Sequence, residues 1–272
     1  MGHIIKELNI IHINIQGLKS SKTELEYLIH ERRPHIITLN ETHLKSNQKF
    51  TIQNYCIIRK DRRDRQGGGV AILYDRQLPV TQVVLLKHLD EYQGLLAKIH
   101  IPYYPIYIST LYSTPNEPLP TDPINNQPTY HKSMLLTDVN AHHPYLGDDC
   151  YLTNRQGREL AQLLRQSSFS NVQLTGPTRY RQTNRQTFTT QDKILATGKI
   201  INRIQSITIH PPPNSDHVPV QITLTTPYWR PNNLSEWRTT IDYSQANWTK
   251  FRDTLETEIP DTSLTTNKDI DM

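Results

Sequence analysis

The sequence predicts an α/β protein with mixed sheets and external helices, and three observations carry that expectation. The chain opens with a strand, an amphipathic helix and a second strand; several Ile-, Leu- and Val-rich segments follow without helical spacing between them; one further helix precedes the last strands. At 272 residues, one main core is the economical reading. Apolar residues make up 35% of the chain and charged residues 21%, which supports a sizeable core under a polar, Thr-rich surface and excludes wholesale disorder.

Residues 8–18, LNIIHINIQGL, alternate and are rich in Ile, so they read as a strand ending in a Gly turn. SSKTELEYLIHERR then offers Ser caps, an early acidic residue, Leu25, Leu28 and Ile29 on one face and basic residues at the end, which suits a helix and its dipole. Pro34 stops it. HIITLNE at 35–41 is the next strand, leaving Asn14 and Glu41 at the carboxyl ends of two strands, the edge where ligands bind in open α/β sheets. GGGVAILYD at 67–75 is a Gly turn into a strand, and TQVVLLKHL, LLAKIHI and PIYISTLYS suggest further antiparallel strands. The Pro-rich residues 114–128 read as a surface loop. After a strand ending in LLTD, residues 154–167 place Leu160, Leu163 and Leu164 at helical spacing, and FTTQDKILAT and HVPVQITLTT are strand-like.

From about residue 226 the composition shifts to polar and aromatic. Residues 244–259 have a Ser cap and place Trp248, Phe251 and Leu255 on one helical face. The expected organisation is one domain over 1–226, a linker with an amphipathic helix over 227–259, and a disordered tail over 260–272.

The formal charge is +4, and two Arg-rich clusters, RKDRRDR at 59–65 and RYRQTNRQ at 179–186, suit phosphate contacts because guanidinium presents paired planar donors. Two cysteines, Cys56 and Cys150, give neither a disulfide framework nor a thiolate zinc spacing, so a reducing compartment is expected and the Asn40, Asn233 and Asn247 sequons go unused. No apolar run approaches the length of a membrane span, and no secretory leader is visible.

Several polar residues share one address, the end of an apolar strand: Asn14, Glu41, Tyr112, Asp138 with Asn140, Asp192, and Asp216 with His217. Carboxylates converging in one cleft repel one another unless a cation or a proton intervenes, which calls for a metal; oxygen donors without thiols favour Mg²⁺ or Mn²⁺ over zinc.

This pattern resembles the endonuclease/exonuclease/phosphatase superfamily, and more closely the endonuclease domain of non-LTR retrotransposons of the jockey and related types. The resemblance covers residues 8 to about 225 and rests on NIQGL, LNETHL, RKDRRDRQGGGVAILY, LYSTPN, TDVNAHHP, NRQGREL, GPTR and SDHVPV in that order. It implies a four-layer α/β/β/α sandwich of two mixed β-sheets flanked by helices. It also implies a divalent-metal-dependent nick in double-stranded DNA, leaving a 3′-hydroxyl that primes target-primed reverse transcription. Glu41 would hold the ion with Asn14 and Asp216; Asp138 would orient or deprotonate water, and Asn140 would donate to the phosphate and hold Asp138. His217 would donate to a phosphoryl oxygen with Asp192 behind it, and Tyr112 would contact the phosphate or leaving group. Arg59, Arg62, Arg65, Arg179, Arg181 and Asn116 would meet DNA. His142 and His143 would shape their loop or meet DNA. A C-terminal reverse transcriptase is the implied partner, and the nucleus the implied place of work. The competing readings are a catalytically decayed DNA-binding module and a phosphodiesterase acting on abasic DNA or a lipid head group.

The sequence departs from the family pattern at four positions. Thr137 stands where Gly is usual, Gln16 where some repair relatives have an acid, and Gln191 and Lys193 flank Asp192 where apolar residues are usual.

Overall fold

The computed structural model describes residues 5–62, 67–83, 93–114, 117–119, 121, 124, 132–147, 153–181, 187–211, 216–229 and 247–258. With elements numbered in chain order, one six-stranded sheet runs β13 (Ile204–Ile209), β14 (Val220–Trp229), β1 (Ile5–Asn14), β2 (Ile36–Asn40), β4 (Val70–Asp75) and β3 (Tyr55–Lys60). The second runs β5 (Val80–Gln82), β6 (Gln93–Ile99), β7 (Ile106–Tyr112), β8 (Lys132–Asp138), β12 (Asp192–Thr197) and β9 (Phe169–Val172). Each sheet contains one parallel pair, β1 with β2 and β7 with β8, among antiparallel ones, so both are mixed.

Strand alternation explains the layers. In β1 and β2, Ile10 and Ile36 face inward and pack with Ile108, Met134, Leu136 and Ile194 of the other sheet, forming the inter-sheet core. Their neighbours Ile11, Ile13, Ile37 and Leu39 face outward and pack with Leu25, and peripherally Leu28 and Ile29, of helix α1 (Lys22–Arg32). On the other sheet, Leu135 and Leu195 point outward onto Leu160, Leu163 and Leu164 of helix α2 (Arg155–Gln166). The order helix, sheet, sheet, helix is the expected four-layer sandwich.

Local chemistry corrects several expectations. Ser21 does not cap α1 through its side chain; its hydroxyl bonds the Ile15 carbonyl, and Arg33 in the left-handed region closes the helix one residue before Pro34. Helix α2 is capped by Asn154, whose side chain accepts from Gly157 N at 2.7 Å. Residues 59–60, the start of the first Arg-rich cluster, belong to β3, and residues 204–209 form β13. Within the Pro-rich segment Leu119 and Ile124 are buried in the cluster that holds Leu111 and Leu135, on the outer face of the second sheet. FTTQDKILAT divides into β11 (Thr187–Thr189), which pairs with β10 (Arg179–Arg181) as a separate ribbon, and β12. A short helix, α3 (Gly198–Ile201), follows β12.

The chain divides by its contacts into Met1–Thr240 and Ile241–Met272. The second unit contains helix α4 (Trp248–Glu258), which begins later than its sequence suggests: Asn247 supplies the cap, its side chain accepting from Lys250 N at 3.0 Å. Trp248 and Phe251 stack edge to face on it and are exposed. Cys150, the segment 84–92, Ser244 and the tail from 260 lie outside the described residues. Among the described residues, no helix is long and apolar enough to cross a membrane.

Candidate active site

The inward face of each central strand turns polar at one end. Along β1 it reads Ile10, His12, Asn14; along β2 Ile36, Thr38, Asn40; along β7 Ile108, Thr110, Tyr112; and along β8 Met134, Leu136, Asp138. Strand β12 runs antiparallel to β8 and starts with Asp192 directly opposite Asp138, so its polar residue falls at the same end. Both sheets therefore deliver their polar residues to one seam.

Hydrogen bonds across that seam fix the geometry. Asn14 Nδ2 donates to Asp138 Oδ2 at 2.9 Å and to Glu41 Oε1 at 2.7 Å. Asn40 Oδ1 accepts from the Asp138 backbone N at 3.1 Å while Asn40 Nδ2 donates to Thr110 Oγ1, also at 3.1 Å. His217 Nδ1 pairs with Asp192 Oδ2 at 3.0 Å, and its Nε2 lies 3.7 Å from Asp138 Oδ2. On the far side, His12 Nε2 lies 3.4 Å from Asp192 Oδ1, and His12 Nδ1 pairs with Thr38 Oγ1 at 2.9 Å. Asp138, Asp192 and His217 are all buried.

Burial in a low-dielectric seam disfavours charge, and each group responds according to its neighbours. Burial, then the Asp192 charge, pushes the Asp138 carboxyl up to about 6. Burial alone would depress His217, but the Asp192 carboxylate beside it, helped by Asp138 and Asp216, lifts it to about 9. Asp192 also faces a burial penalty, which is outweighed by the two imidazoles that hold it below the usual carboxylate range. Burial and the adjacent Glu41, which the Tyr112 hydroxyl bonds, push Tyr112 far up, so it serves as a neutral donor.

Asp216 has protein partners of its own. Its Oδ2 accepts from Arg179 Nε at 2.7 Å and its Oδ1 from Gln16 Nε2, so both oxygens have protein donors and Arg179 is its counter-ion. Gln16, in the position of an acid in some repair relatives, thereby acquires a partner. Arg179 Nη1 reaches Gln191 Oε1 at 2.7 Å, which explains that second departure. The ribbon β10–β11 is tied to the same segment by Tyr180 N to Asp216 O at 2.7 Å and Val218 N to Thr178 O at 2.9 Å.

Oxygen donors remain for a divalent cation. Asp138 Oδ1 is buried without a hydrogen-bond partner. Glu41 lies one amide away across Asn14, and the charges of Asp192 and Glu41 both oppose ionisation of Asp138. A hard cation would relieve that repulsion, so the residues fit one. Among the described residues, ligand atoms of Asp138, Asp192 and His217 also lie within 4.8 Å of one another. The short His217–Asp192 hydrogen bond and the raised imidazole make a proton-holding pair of them instead, since an imidazolium offers no lone pair to a metal.

Thr137 does not intrude. It alternates with Asp138, and its hydroxyl donates to Leu111 O at 2.7 Å. Lys193 likewise alternates with Asp192 and is buried, its Nζ donating to Thr190 O at 2.7 Å. Asn140 sits in the left-handed region with its carbonyl bonded by Asn154, and the expected task of holding Asp138 falls to Asn14 and Asn40 instead. His142 and His143 shape the loop: His142 N donates to Asn154 Oδ1 at 3.0 Å, and His143 Nδ1 accepts from Tyr145 N at 3.0 Å.

A model of the endonuclease–reverse transcriptase family matches residues 106–221, which hold Tyr112, Asp138, Asp192 and His217. A relative described as a probable RNA-directed DNA polymerase from the transposon X-element of Drosophila melanogaster is 26% identical over 97% of this chain and 29% of its own length. The chain is thus similar to endonuclease–reverse transcriptase proteins over the segment that carries these residues. The chain spans under a third of that relative's length. The endonuclease domain of TRAS1, a telomere-specific non-LTR retrotransposon, superposes with a TM-score of 0.65 at 15% identity, covering 80% of this chain and 98% of that one. The AP endonuclease LMAP from Leishmania major superposes with a TM-score of 0.67 at 13% identity over 82% and 89%. Their fold, two packed mixed sheets flanked by helices, is the fold of this chain.

Of the residues expected to meet DNA, three are engaged internally. Arg59 Nη2 bonds Gln48 O at 2.7 Å and lies 3.3 Å from Asp61, because β3 places it beside the 46–48 turn. Arg62 pairs with Glu117 at 3.2 Å and is 8% exposed, so it ties the glycine turn to the Pro-rich segment. Arg179 serves Asp216, and Arg181 is placed on β10. Arg65 and Asn116 lie outside the described residues. Sequence reasoning missed His12, Thr38, Asn40, Thr110 and Thr178. The signal for His12, Thr38, Asn40 and Thr110 was available: each interrupts the inward parity of an apolar strand.

Proposed function

We propose that this chain is a divalent-metal-dependent DNA endonuclease that nicks a phosphodiester to leave a 3′-hydroxyl, able to prime reverse transcription at the target within a longer element and therefore acting in the nucleus. The observation that carries this reading is the seam itself: a buried carboxylate with one orphan oxygen, Asp138, set 3.7 Å from an imidazole that Asp192 holds as its cation. Glu41, with Asn14, would hold the ion, preferentially Mg²⁺ or Mn²⁺; when bound it supplies Lewis acidity at the phosphoryl group.

The protein's own groups divide the remaining work. Asp138, held by Asn14 and Asn40, accepts the proton of the attacking water through its ionised form. His217 donates from Nε2 to a non-bridging phosphoryl oxygen, an interaction that strengthens as charge builds in the transition state. Asp192 fixes which imidazole nitrogen faces the substrate, since Nδ1 is committed to it. Tyr112 is a neutral hydroxyl donor, and Asn140 lies on the loop leaving Asp138. The completeness of this network favours an enzyme over a decayed binding module.

Supercoiled plasmid is the direct substrate for a test. The wild-type chain with Mg²⁺ converts it to open circles, and chelation, Asp138→Ala or His217→Ala reduces conversion to background. Equal conversion by all samples would sink the enzymatic reading. Arg179→Ala is expected to slow nicking by about ten- to a hundredfold, because freeing Asp216 shifts the segment carrying His217 and small displacements of reacting groups have costs of that order. An unchanged rate in that variant would separate Asp216 from the catalytic geometry.

A further inference from the structure

At the opposite end of the second sheet, two cations pack on one aromatic ring and a third, Lys199, lies close enough to act on Lys132. Lys132, the first residue of β8, places Nζ 3.4 Å from the Tyr104 ring centroid, and Arg203 places its guanidinium carbon 4.2 Å from it. The Tyr104 hydroxyl donates to Lys199 O at 3.1 Å, fixing the ring against exposed Lys199 of α3. Among the described residues none of the three cations has a carboxylate partner. They repel one another: burial first, then Lys199 and Arg203, lower the Lys132 ammonium below its ordinary value. A protein usually relieves such a cluster with an acid, and here an outside anion would do so. Beside it Tyr103 stands fully in solvent at 102% exposure, in a left-handed backbone conformation that turns its side chain away from the core.

We propose that Tyr103, Lys132, Lys199 and Arg203 form a second nucleic-acid site for a single strand, with the cations on phosphates and Tyr103 stacked on a base. The combination of clustered cations and an exposed aromatic is what a strand with unpaired bases requires. A membrane surface would use the same charges, but the exposed neighbours Pro102, Gly198 and Asn202 offer no large apolar side chain for insertion. β8 runs from Lys132 at this pole to Asp138 at the catalytic one, six residue steps of about 3.3 Å, or roughly 20 Å. A duplex engaged at Asp138 therefore leaves this pole open to another strand. The inference does not depend on the catalytic reading.

The test is fluorescence anisotropy of a labelled oligothymidylate titrated with the full chain. Lys132→Gln/Lys199→Gln/Arg203→Gln is expected to weaken binding at least tenfold and to reduce the dependence of log affinity on log salt by about two, as lost phosphate contacts do. Tyr103→Ala is expected to weaken it about tenfold with the salt dependence unchanged, as lost stacking does. A saturating duplex oligonucleotide leaves the strand bound. Because Lys132 and Arg203 also pack on Tyr104, Lys199→Gln, at an exposed position, provides a variant whose folding is not at stake and weakens binding a few-fold. Unchanged strand affinity in both Lys199→Gln and Tyr103→Ala overturns the site, as does complete displacement of the strand by the duplex. So does loss of binding confined to phosphatidylserine vesicles.

Discussion

Asp192→Asn is expected to lower plasmid nicking at neutral pH by about two to four orders of magnitude, the range spanned by a positioned general acid or base. The substitution keeps size and hydrogen-bonding capacity but removes the charge that lifts His217 to about 9. Burial, which opposes the imidazolium, then dominates, and His217 becomes neutral at the working pH. The wild-type profile is bell-shaped: Asp138 must be ionised, above about 6, and His217 protonated, below about 9. In Asp192→Asn the alkaline limb moves down strongly. The acid limb moves down as well, since the Asp192 charge is part of what raises Asp138. The same pairing bears on stability. A raised imidazole contributes in full below its unfolded value near 6.5, and that contribution is lost as pH rises through about 9. Thermal melts of wild type against Asp192→Asn should therefore converge on the alkaline side as far as His217 is concerned. A variant with wild-type rate and pH profile would remove Asp192 from the mechanism.

Gly157→Ala is expected to destabilise the domain by about 3 kcal/mol, the upper part of the usual range for overpacking, and to lower Tm by roughly 5–10 °C. A Cβ at this position would lie 2.0 Å from the His142 carbonyl oxygen and 2.5 Å from its carbon, and neither backbone atom can rotate away. The contact exists because Asn154 caps α2 and also accepts from His142 N, drawing the helix start against the loop that follows Asp138. Gly198→Ala is the matched control: nothing lies within 4 Å of its added carbon, and its melt should be nearly unchanged. Equal melting of the two variants would show that the loop yields.

Those two positions indicate what can be read from sequence. The NRQG run is legible as a helix start because a cap and a helical Leu spacing are local, but the wedge of Gly157 under His142 depends on a loop that only the tertiary fold places there. The same division holds for the site. Asn14, Glu41, Asp138, Asp192 and His217 stand out because each ends or begins an apolar strand, and the sheet ends do converge. The two-sheet packing is visible as inward and outward positions, Ile10 against Ile11 and Leu136 against Leu135. His12 and Asn40 interrupt the inward parity of apolar strands, but which polar partners they meet depends on the facing sheet. The partners of Asp216 are hidden for a related reason: Arg179 and Gln16, both distant in sequence, supply donors to both of its oxygens. The internal partners of Arg59 and Arg62 are not legible in the basic clusters, because charge in a sequence says nothing about which backbone carbonyl or carboxylate lies beside it in the fold.

The central claim is that the seam between the sheets cuts a DNA strand and leaves an end that can be extended. Plasmid nicked by the wild-type chain with Mg²⁺, then incubated with a DNA polymerase and labelled nucleotides, tests it directly, with Asp138→Ala as the blank. Label entering the wild-type product at once, and not the blank, is the predicted result. A nick that accepts label only after phosphatase treatment, or label entering both samples equally, would contradict it.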